Sequence, residues 1–175
     1  MEGRQEAMLN FRSTFSNSDA SKPHPSYEVH RNLQQPELFS FVQRKTLFLG
    51  VHIVGGNDFD DSAEENWEDH IQNSLNWVQN ETTHQHQNYE IVVIFGNSRQ
   101  KDENRSFFTG LRELIEELEV PTLYVFDGAQ SSLQQRNDFY WTMEIRGGGF
   151  PFTIVSADTD RIRRPFRWTF ATVLS

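Results

Sequence analysis

The residues of this sequence best suited to chemistry include a group of acids that follows an apolar, strand-like segment. Asp58, Asp60 and Asp61 come shortly after the residues Thr46–Val54. Carboxylates grouped in one loop could ligate a hard cation such as Mg²⁺ or Ca²⁺. Acidic residues also favour the positive end of a helix dipole, and a helix is predicted to begin at Ser62. We favour this second explanation.

Imidazole groups provide the next candidates. His84 and His86 lie two residues apart and could share one face of an extended segment, as zinc or nickel ligands do. Metal sites need three or four ligands, so a solvated loop is the preferred interpretation. His52 lies within an apolar strand and is interpreted as a core histidine rather than a catalytic base. His70 is predicted on the exposed side of the first helix.

Four arginines close to the end of the chain could bind phosphate groups or an acidic partner: Arg161, Arg163, Arg164 and Arg167. Because the rest of the chain is strongly acidic, docking of these arginines onto the protein itself is an equally good explanation. The run Gly147–Gly149 is not a phosphate-binding loop, since no Lys-Ser/Thr pair and no helix pattern follow it.

Length and composition limit the possible functions. The chain has 175 residues, a formal net charge of −9 and no cysteine. Disulfides and thiolate metal sites are therefore excluded, and the negative charge argues against nucleic-acid binding. No apolar run reaches the ~18 residues of a membrane helix, and the N-terminus is too polar for a secretory leader. We expect an intracellular, cytoplasmic protein that binds neither nucleic acid nor membranes.

Apolar periodicity places these groups on an α/β domain. A hairpin is predicted from Phe39–Val42 and Thr46–Val54, followed by a helix that begins at Ser62 and continues through Val78. A buried strand at Tyr89–Gly96, a helix at Phe107–Leu118 and a strand at Thr122–Phe126 come next. Alternating strands and helices predict a partly parallel sheet flanked by helices.

The remaining segments complete the predicted organisation. Residues 1–37 are rich in polar residues and are predicted to be a disordered lead-in. Phe139–Arg146 and Phe150–Val155 flank the glycine run and are predicted to form a C-terminal antiparallel strand pair. The domain is therefore expected to span residues 38–157, with an arginine-rich tail at 158–175.

This order of elements resembles the second half of the calcineurin-like metallophosphoesterases. Phe39–Val42, a turn and Leu47–Gly56 are similar to the start of that half, and the resemblance continues through later segments to about residue 155. Those segments are Leu75–Val78, Ile91–Gly96 and Leu123–Gly128. The resemblance implies half of an αββα sandwich.

The family's metal ligands are what this sequence lacks. In the second half of such enzymes, one His follows a strand and two more come from a Gly-His-x-His run; the resemblance places them at Asn97, Gln130 and Ser132. Two metal ions activate a water and bind the phosphoryl oxygens, and they need those imidazoles. The residues before Leu38 are too few for the first-half motifs, which implies a C-terminal piece of a longer ancestor or a truncated gene model.

The resemblance therefore implies a degenerate domain without catalysis and without a cofactor, which acts in binding or regulation. A sheet edge exposed by the missing half would favour a homo-oligomer or a protein partner. The alternative is a weak phosphoester hydrolase with one divalent ion (Mn, Fe, Zn or Mg) at Asp58, Asp60, Asn97 and Asp127, at the carboxyl ends of strands. A third possibility is a small ligand bound without turnover in the cleft formed by those loops.

Overall fold

A computed structural model describes residues 28–53, 61–146, 152–158 and 165–171 of the chain. Within these ranges it contains two long helices and nine strands. The helices are α1 (Asp61–His84) and α2 (Arg105–Leu118). The strands are β1 (His30–Arg31), β2 (Phe39–Gln43), β3 (Thr46–Gly50), β4 (Ile91–Gly96), β5 (Thr122–Gly128), β6 (Ser132–Gln135), β7 (Tyr140–Arg146), β8 (Phe152–Ala157) and β9 (Phe166–Ala171).

Seven of the strands form one mixed sheet in the order β1-β2-β3-β4-β5-β7-β6. Strands β3, β4, β5 and β7 are parallel to one another, whereas β1, β2 and β6 pair in antiparallel fashion. The central strands are rich in β-branched and aromatic residues and are buried over most of their length, as parallel strands usually are. The predicted α/β fold with a partly parallel sheet is confirmed.

The predicted β2–β3 hairpin is also confirmed. Gln43 pairs with Thr46, so only Arg44 and Lys45 form the turn. Both turn residues have positive φ angles, 48° and 61°, which match the twist of the flanking strands. The hairpin places the end of β3 beside the chain segment that enters β2.

Both helices belong to the core on one face of the sheet. The apolar positions of α2 recur with helical spacing, and four of its side chains are buried. The helix ends at Glu119, which adopts a left-handed conformation and donates its N–H to the carbonyl of Ile115. The buried side chains of this face include Leu47, Leu49, Ile71, Val78, Val92, Ile94, Phe107, Phe108, Leu111, Ile115, Tyr124 and Tyr140.

A second cluster lies on the opposite face of the sheet. It consists of Ile91, Val93, Leu123, Val125, Trp141, Met143 and Phe166. The rings of Trp141 and Phe166 lie 5.3 Å apart, and this contact joins strand β9 to the sheet. Nearer β2, the rings of Phe41, Phe48 and Phe95 stack in succession on the sheet, and Phe95 is an exposed large apolar side chain.

The C-terminal strands pair differently from the prediction. Strand β8 pairs with β9 rather than with β7, which instead lies between β5 and β6. Tyr140–Met143 are buried on both faces of the sheet, so this segment is an interior parallel strand rather than half of a terminal hairpin. Strand β6 lies in a stretch that the sequence presents only as a loop, and the glycine run Gly147–Gly149 lies outside the described residues.

The ordered structure extends into both predicted terminal segments. Within the predicted lead-in, His30–Arg31 form strand β1, and Gln35 and Glu37 are buried. Within the predicted tail, Phe166–Ala171 form strand β9. Residues 1–27 lie outside the described part of the chain.

Among the described residues, neither helix combines the length and the apolar character that crossing a membrane requires.

Candidate functional site

The four predicted ligands of a single metal ion are only partly placed by the structure. Asp58 and Asp60 lie outside the described residues. Asn97 and Asp127 lie at the same edge of the sheet, because they follow Gly96 and Phe126, which are paired on neighbouring parallel strands. Asp127 is exposed and pairs with Ile145 on the face opposite the helices.

Asn97, at the position where the resemblance places a family histidine, has a structural contact. Its Oδ1 accepts a hydrogen bond of 2.7 Å from the backbone N–H of Ile53. A carboxamide oxygen thereby satisfies a backbone donor just beyond the end of β3. This contact fastens the segment after β3 to the loop after β4.

The positions that correspond to the Gly-His-x-His run lie around the carboxylate of Glu144. Its Oε1 accepts hydrogen bonds from the backbone N–H groups of Ala129, at 2.8 Å, and Gln130, at 3.5 Å. A Cβ atom at Gly128 would lie 2.0 Å from the same oxygen, so only glycine permits this approach. Ser132, on β6, pairs with Glu144 and lines a cleft.

This cleft lies beside α2, above strands β5, β7 and β6. Its volume of about 900 Å³ is within the range of small-molecule sites. We call it the cationic cleft, because five cationic side chains line it: Arg99, Lys101, Arg105, Arg112 and Arg136.

The loop that carries two of these cations is organised by a buried asparagine. Asn104 is fully buried, and its Oδ1 accepts a hydrogen bond of 2.8 Å from the N–H of Lys101. Its Nδ2 donates to the Ser98 hydroxyl at 3.2 Å and to the Arg99 carbonyl at 3.0 Å. All three contacts lie within the turn between β4 and α2, so the cations are presented from an ordered loop.

Two of these arginines, Arg112 and Arg136, lie close to Tyr140. The Arg136 Nε donates to the Thr142 hydroxyl at 3.0 Å, and the Arg112 Nε donates to the Phe108 carbonyl at 3.2 Å. Burial raises the pKa of Tyr140 to about 12, and the positive charges of Arg136 and Arg112 offset part of this increase. Both positive charges therefore lie close enough to the Tyr140 hydroxyl to lower its pKa.

The acidic residues of the cleft have partners other than Arg112 and Arg136. Asp102 forms an ion pair with Arg105 at 2.5 Å, and Glu116 accepts a hydrogen bond of 3.3 Å from Asn137. Glu144 is bound to the backbone N–H groups of the loop after β5. Within the described ranges, no carboxylate forms an ion pair with Arg112 or Arg136. Their charges are available to a ligand.

The floor of the cleft is part of the helix-face core. The hydroxyl of Tyr124 donates a hydrogen bond of 2.7 Å to the carbonyl of Ser98, and burial raises its pKa. A Cβ atom at Gly96 would lie 2.0 Å from that hydroxyl, so glycine is required beneath it. Phe108, Phe126 and Tyr140 complete the aromatic floor.

Sequence reasoning missed this cleft. Its nearest signal was the succession of cations at positions 99, 101, 105 and 112 of an acidic chain, with Arg105, Phe108 and Arg112 at helical spacing. Arg136 gave no signal, because strand β6 was not predicted.

Of the four tail arginines that were singled out, Arg167 is exposed on β9, and Arg161, Arg163 and Arg164 lie outside the described residues.

A second polar cluster lies on the other side of the helix pair. Glu37, His52 and His70 each offer one potential ligand atom, and these atoms all lie within 4.8 Å of one another. His70 is only 6% exposed, so its predicted position on the exposed side of α1 is wrong. The predicted histidine pair, His84 and His86, is exposed, which agrees with a solvated position.

Comparisons with known proteins do not identify a family. No family model matches the chain, and no curated protein matches it. One solved structure similar to this chain is that of "GAP50 the anchor in the inner membrane complex of Plasmodium". The two sequences are 11% identical, and the TM-score is 0.41. The match covers 74% of this chain and 40% of the length of that one. At this level the likeness carries no functional argument.

Proposed function

We propose that this chain is a non-catalytic binding domain that captures phosphorylated small molecules in the cationic cleft. The observation that carries the proposal is the pair of guanidinium groups at Arg112 and Arg136, which lie close to Tyr140 and have no carboxylate partner among the described residues. In a chain of net charge −9, such a local excess of positive charge is an attractive site for an anion.

The chemistry of the lining favours phosphate groups over single carboxylates. Arginine binds phosphate with two parallel hydrogen bonds, and two arginines can bind more than one oxygen of a phosphoryl group. Arg99 adds positive charge from the loop beside the same cleft, where the neighbouring Lys101 is paired with Glu103 at 3.1 Å. We therefore expect a ligand with two or more negative charges, such as a nucleoside diphosphate or a sugar phosphate.

The absence of turnover is part of the proposal and is supported by the contacts of the former ligand positions. Asn97 satisfies the Ile53 N–H, and the loop that contains Gln130 is held by Glu144. These side chains and loops are used to stabilise the fold around the carboxyl edge of the sheet. The descent from a calcineurin-like metallophosphoesterase remains a prediction that rests on the resemblance alone.

Calorimetric titration with adenosine diphosphate and with inorganic pyrophosphate tests the proposed binding. Hydrogen bonds to charged groups contribute about 1.5–3 kcal/mol, so Arg112→Gln or Arg136→Gln should each weaken binding by at least about tenfold. The double variant should abolish measurable binding. Arg44→Gln is the matched control, because it removes the same charge from the β2–β3 turn, outside the cleft.

Two results would contradict the proposal. One is the lack of saturable binding of either probe to the unmodified protein. The other is an equal loss of affinity in Arg44→Gln and in the cleft variants, which would indicate a response to net charge rather than a site.

The second candidate function is a weak metal-dependent phosphoester hydrolase. The observation in its favour is that Asn97 and Asp127 follow paired positions of neighbouring parallel strands, whose spacing is about 4.8 Å. Metal analysis after dialysis, together with hydrolysis of a chromogenic phosphoester in the presence of Mn²⁺, tests this alternative. Activity that is lost in Asp127→Ala would favour the hydrolase over the binding domain.

The partner and the cellular location also remain proposals. The described sheet has edge strands of two residues at β1 and four residues at β6, where a partner strand or a second copy would add. Sedimentation velocity over a range of concentrations tests the predicted homo-oligomer, and a monomer at every concentration would contradict it. We also propose that the protein is cytoplasmic.

A further inference from the structure

Three potential metal ligands meet where β2, β3 and α1 come together. Glu37 lies just before β2, His52 just after β3, and His70 within α1. The ligand atoms of the three groups lie within 4.8 Å of one another. Glu37 and His70 are buried and His52 is half-buried, so this cluster is a feature of the interior rather than a patch of surface acids.

The hydrogen bonds of His70 determine which of its nitrogens can bind a metal. Its Nε2 lies 2.9 Å from the carbonyl oxygen of His52. A carbonyl can only accept, so Nε2 carries the proton and Nδ1 keeps its lone pair. A histidine that binds a metal commonly donates its other N–H to a backbone carbonyl, which fixes the ring in this way.

Gln35 offers a fourth group. Only 9% of this residue is exposed, and its Nε2 lies 3.3 Å from Nδ1 of His70. Its Oε1 forms no hydrogen bond within the described structure. Because a rotation of 180° about the terminal bond exchanges the two amide atoms, Gln35 can present an oxygen in place of its nitrogen beside His70.

The segment that carries Gln35 and Glu37 is held in place by the side chain and the backbone of Asn32. The Asn32 Oδ1 accepts hydrogen bonds from the N–H groups of Gln34 and Gln35, at 2.9 and 3.0 Å. The Asn32 N–H donates to the Leu38 carbonyl at 3.0 Å. The donors are therefore positioned by an ordered turn, as a binding site requires.

We propose that Glu37, His52 and His70 bind one transition-metal ion, with Zn²⁺ as the best match, and that the Gln35 oxygen occupies the fourth position. Two imidazoles and one carboxylate form a donor set typical of zinc, whereas Mg²⁺ and Ca²⁺ prefer oxygen ligands alone. Ligands at about 2.0–2.1 Å from a tetrahedral ion lie roughly 3.4 Å apart, so binding requires the cluster to contract slightly. The bound ion would join β2, β3 and α1, and it is independent of the cationic cleft.

Zinc titration of the whole chain tests this site. After removal of metals with a chelator, the protein is titrated with Zn²⁺ in competition with a chromophoric chelator, which measures zinc affinity. A second sample is loaded with Zn²⁺ and dialysed, and metal analysis then gives the zinc content. We expect one equivalent of Zn²⁺ to be retained and the thermal unfolding midpoint to rise with Zn²⁺ but not with Mg²⁺. Absence of retained zinc together with an unchanged midpoint would overturn the proposal.

Substitutions locate the ion. Glu37→Gln and His52→Gln keep the size of each side chain approximately and should lower zinc affinity at least tenfold, the lower limit seen even for outer-shell changes. His52 is half-buried, so its variant serves if Glu37→Gln does not fold by circular dichroism. The double variant His84→Ala/His86→Ala is the matched control, and a loss of zinc in it alone would assign the metal to the exposed pair and overturn the proposal.

Discussion

The cationic cleft and the Glu37–His52–His70 cluster flank the same pair of helices but are built in opposite ways. The cluster lies beside β2 and β3 at one side of the sheet, and the cleft lies above β5, β7 and β6 at the other. The acid and the histidines of the cluster are close to one another in the interior and are of different chemical type. The cations of the cleft are exposed side chains of like charge.

The difference shows which polar residues carry functional information. Buried polar groups must find partners for the fold to form, so proximity between Glu37 and the histidines has a structural explanation as well as a chemical one. Exposed arginines need no protein partner, because water solvates them. Their convergence on one concave surface of an acidic protein therefore points more directly to a ligand.

The largest expected effect concerns the floor of the cleft. Tyr124→Ala removes a fully buried ring from the helix-face core and should lower the free energy of unfolding by about 3–5 kcal/mol. Urea denaturation measures this loss, and Leu33→Ala, at a fully exposed position, should change stability by less than about 0.5 kcal/mol. A loss below about 1 kcal/mol for Tyr124→Ala would show that the floor of the cleft is not rigid. The contrast between the cleft and the Glu37–His52–His70 cluster would then not hold.

The next effect concerns the loop between β4 and α2 that carries Arg99 and Lys101. Asn104→Ala removes three hydrogen bonds from a buried site, so we expect a loss of about 2–4 kcal/mol and weaker binding of adenosine diphosphate. Asn76→Ala, on the exposed side of α1, is the control and should leave both properties nearly unchanged. Equal stability of the two variants would mean that the loop does not depend on Asn104.

Alkaline pH provides a third measurement. The pKa of Tyr140 is about 12 in the folded chain, against about 10 in the unfolded chain, so the unfolded state loses its proton first as pH rises. The contribution of Tyr140 to stability should be constant below about pH 10 and should be lost between about pH 10 and 12, at a total cost of about 2–3 kcal/mol. Buried Tyr124 acts in the same direction.

Urea denaturation at several alkaline pH values separates the contribution of Tyr140 from that of the other buried tyrosines. Tyr140→Phe should flatten the pH dependence in part, and the remainder should come from Tyr124 and Tyr89, whose pKa values burial also raises. Identical profiles for the variant and the unmodified protein would show that Tyr140 is not the buried, arginine-flanked group described above.

The smallest effect distinguishes Arg99 from the two arginines close to Tyr140. Arg99, unlike Arg112 and Arg136, does not influence the pKa of Tyr140 and therefore lies farther from the proposed ligand, so Arg99→Gln should weaken binding of adenosine diphosphate only about two- to fivefold at low salt. At high salt the difference should disappear, because salt screens interactions between exposed charges that lie far apart. A loss as large as that of Arg112→Gln would show that all the cations act alike.

Regular elements were predictable because their signals are local. The spacing of apolar residues in α2 and the apolar runs of β4 and β5 were sufficient to predict those elements and the parallel sheet. Strand β6, with two exposed glutamines, has no such pattern and forms only because β7 offers it an edge. The partner of β8 could not be predicted, because β7 pairs with β5 and β6 instead, and no short sequence pattern indicates that pairing.

The position of His70 illustrates the same limit. The stripe used to predict the helix contains Ile71, Leu75 and Val78, but the buried face also includes His70, Ser74 and Glu81. These polar residues recur at spacings of four and seven and are buried because β2 and β3 provide partners. Ser40 donates a hydrogen bond of 2.5 Å to Glu81, and the His52 carbonyl accepts hydrogen bonds from His70 and Ser74.

The sequence by itself determined the α/β fold, the order of the central elements and the absence of cysteine chemistry, because these follow from composition and short-range apolar periodicity. Only the tertiary structure decided which polar groups meet. Glu37, His52 and His70 come from three separate segments of the chain, and Arg112 and Arg136 come from a helix and from the residue that follows an edge strand. Their convergence depends on strand order and helix packing, which arise from contacts between residues distant in the chain.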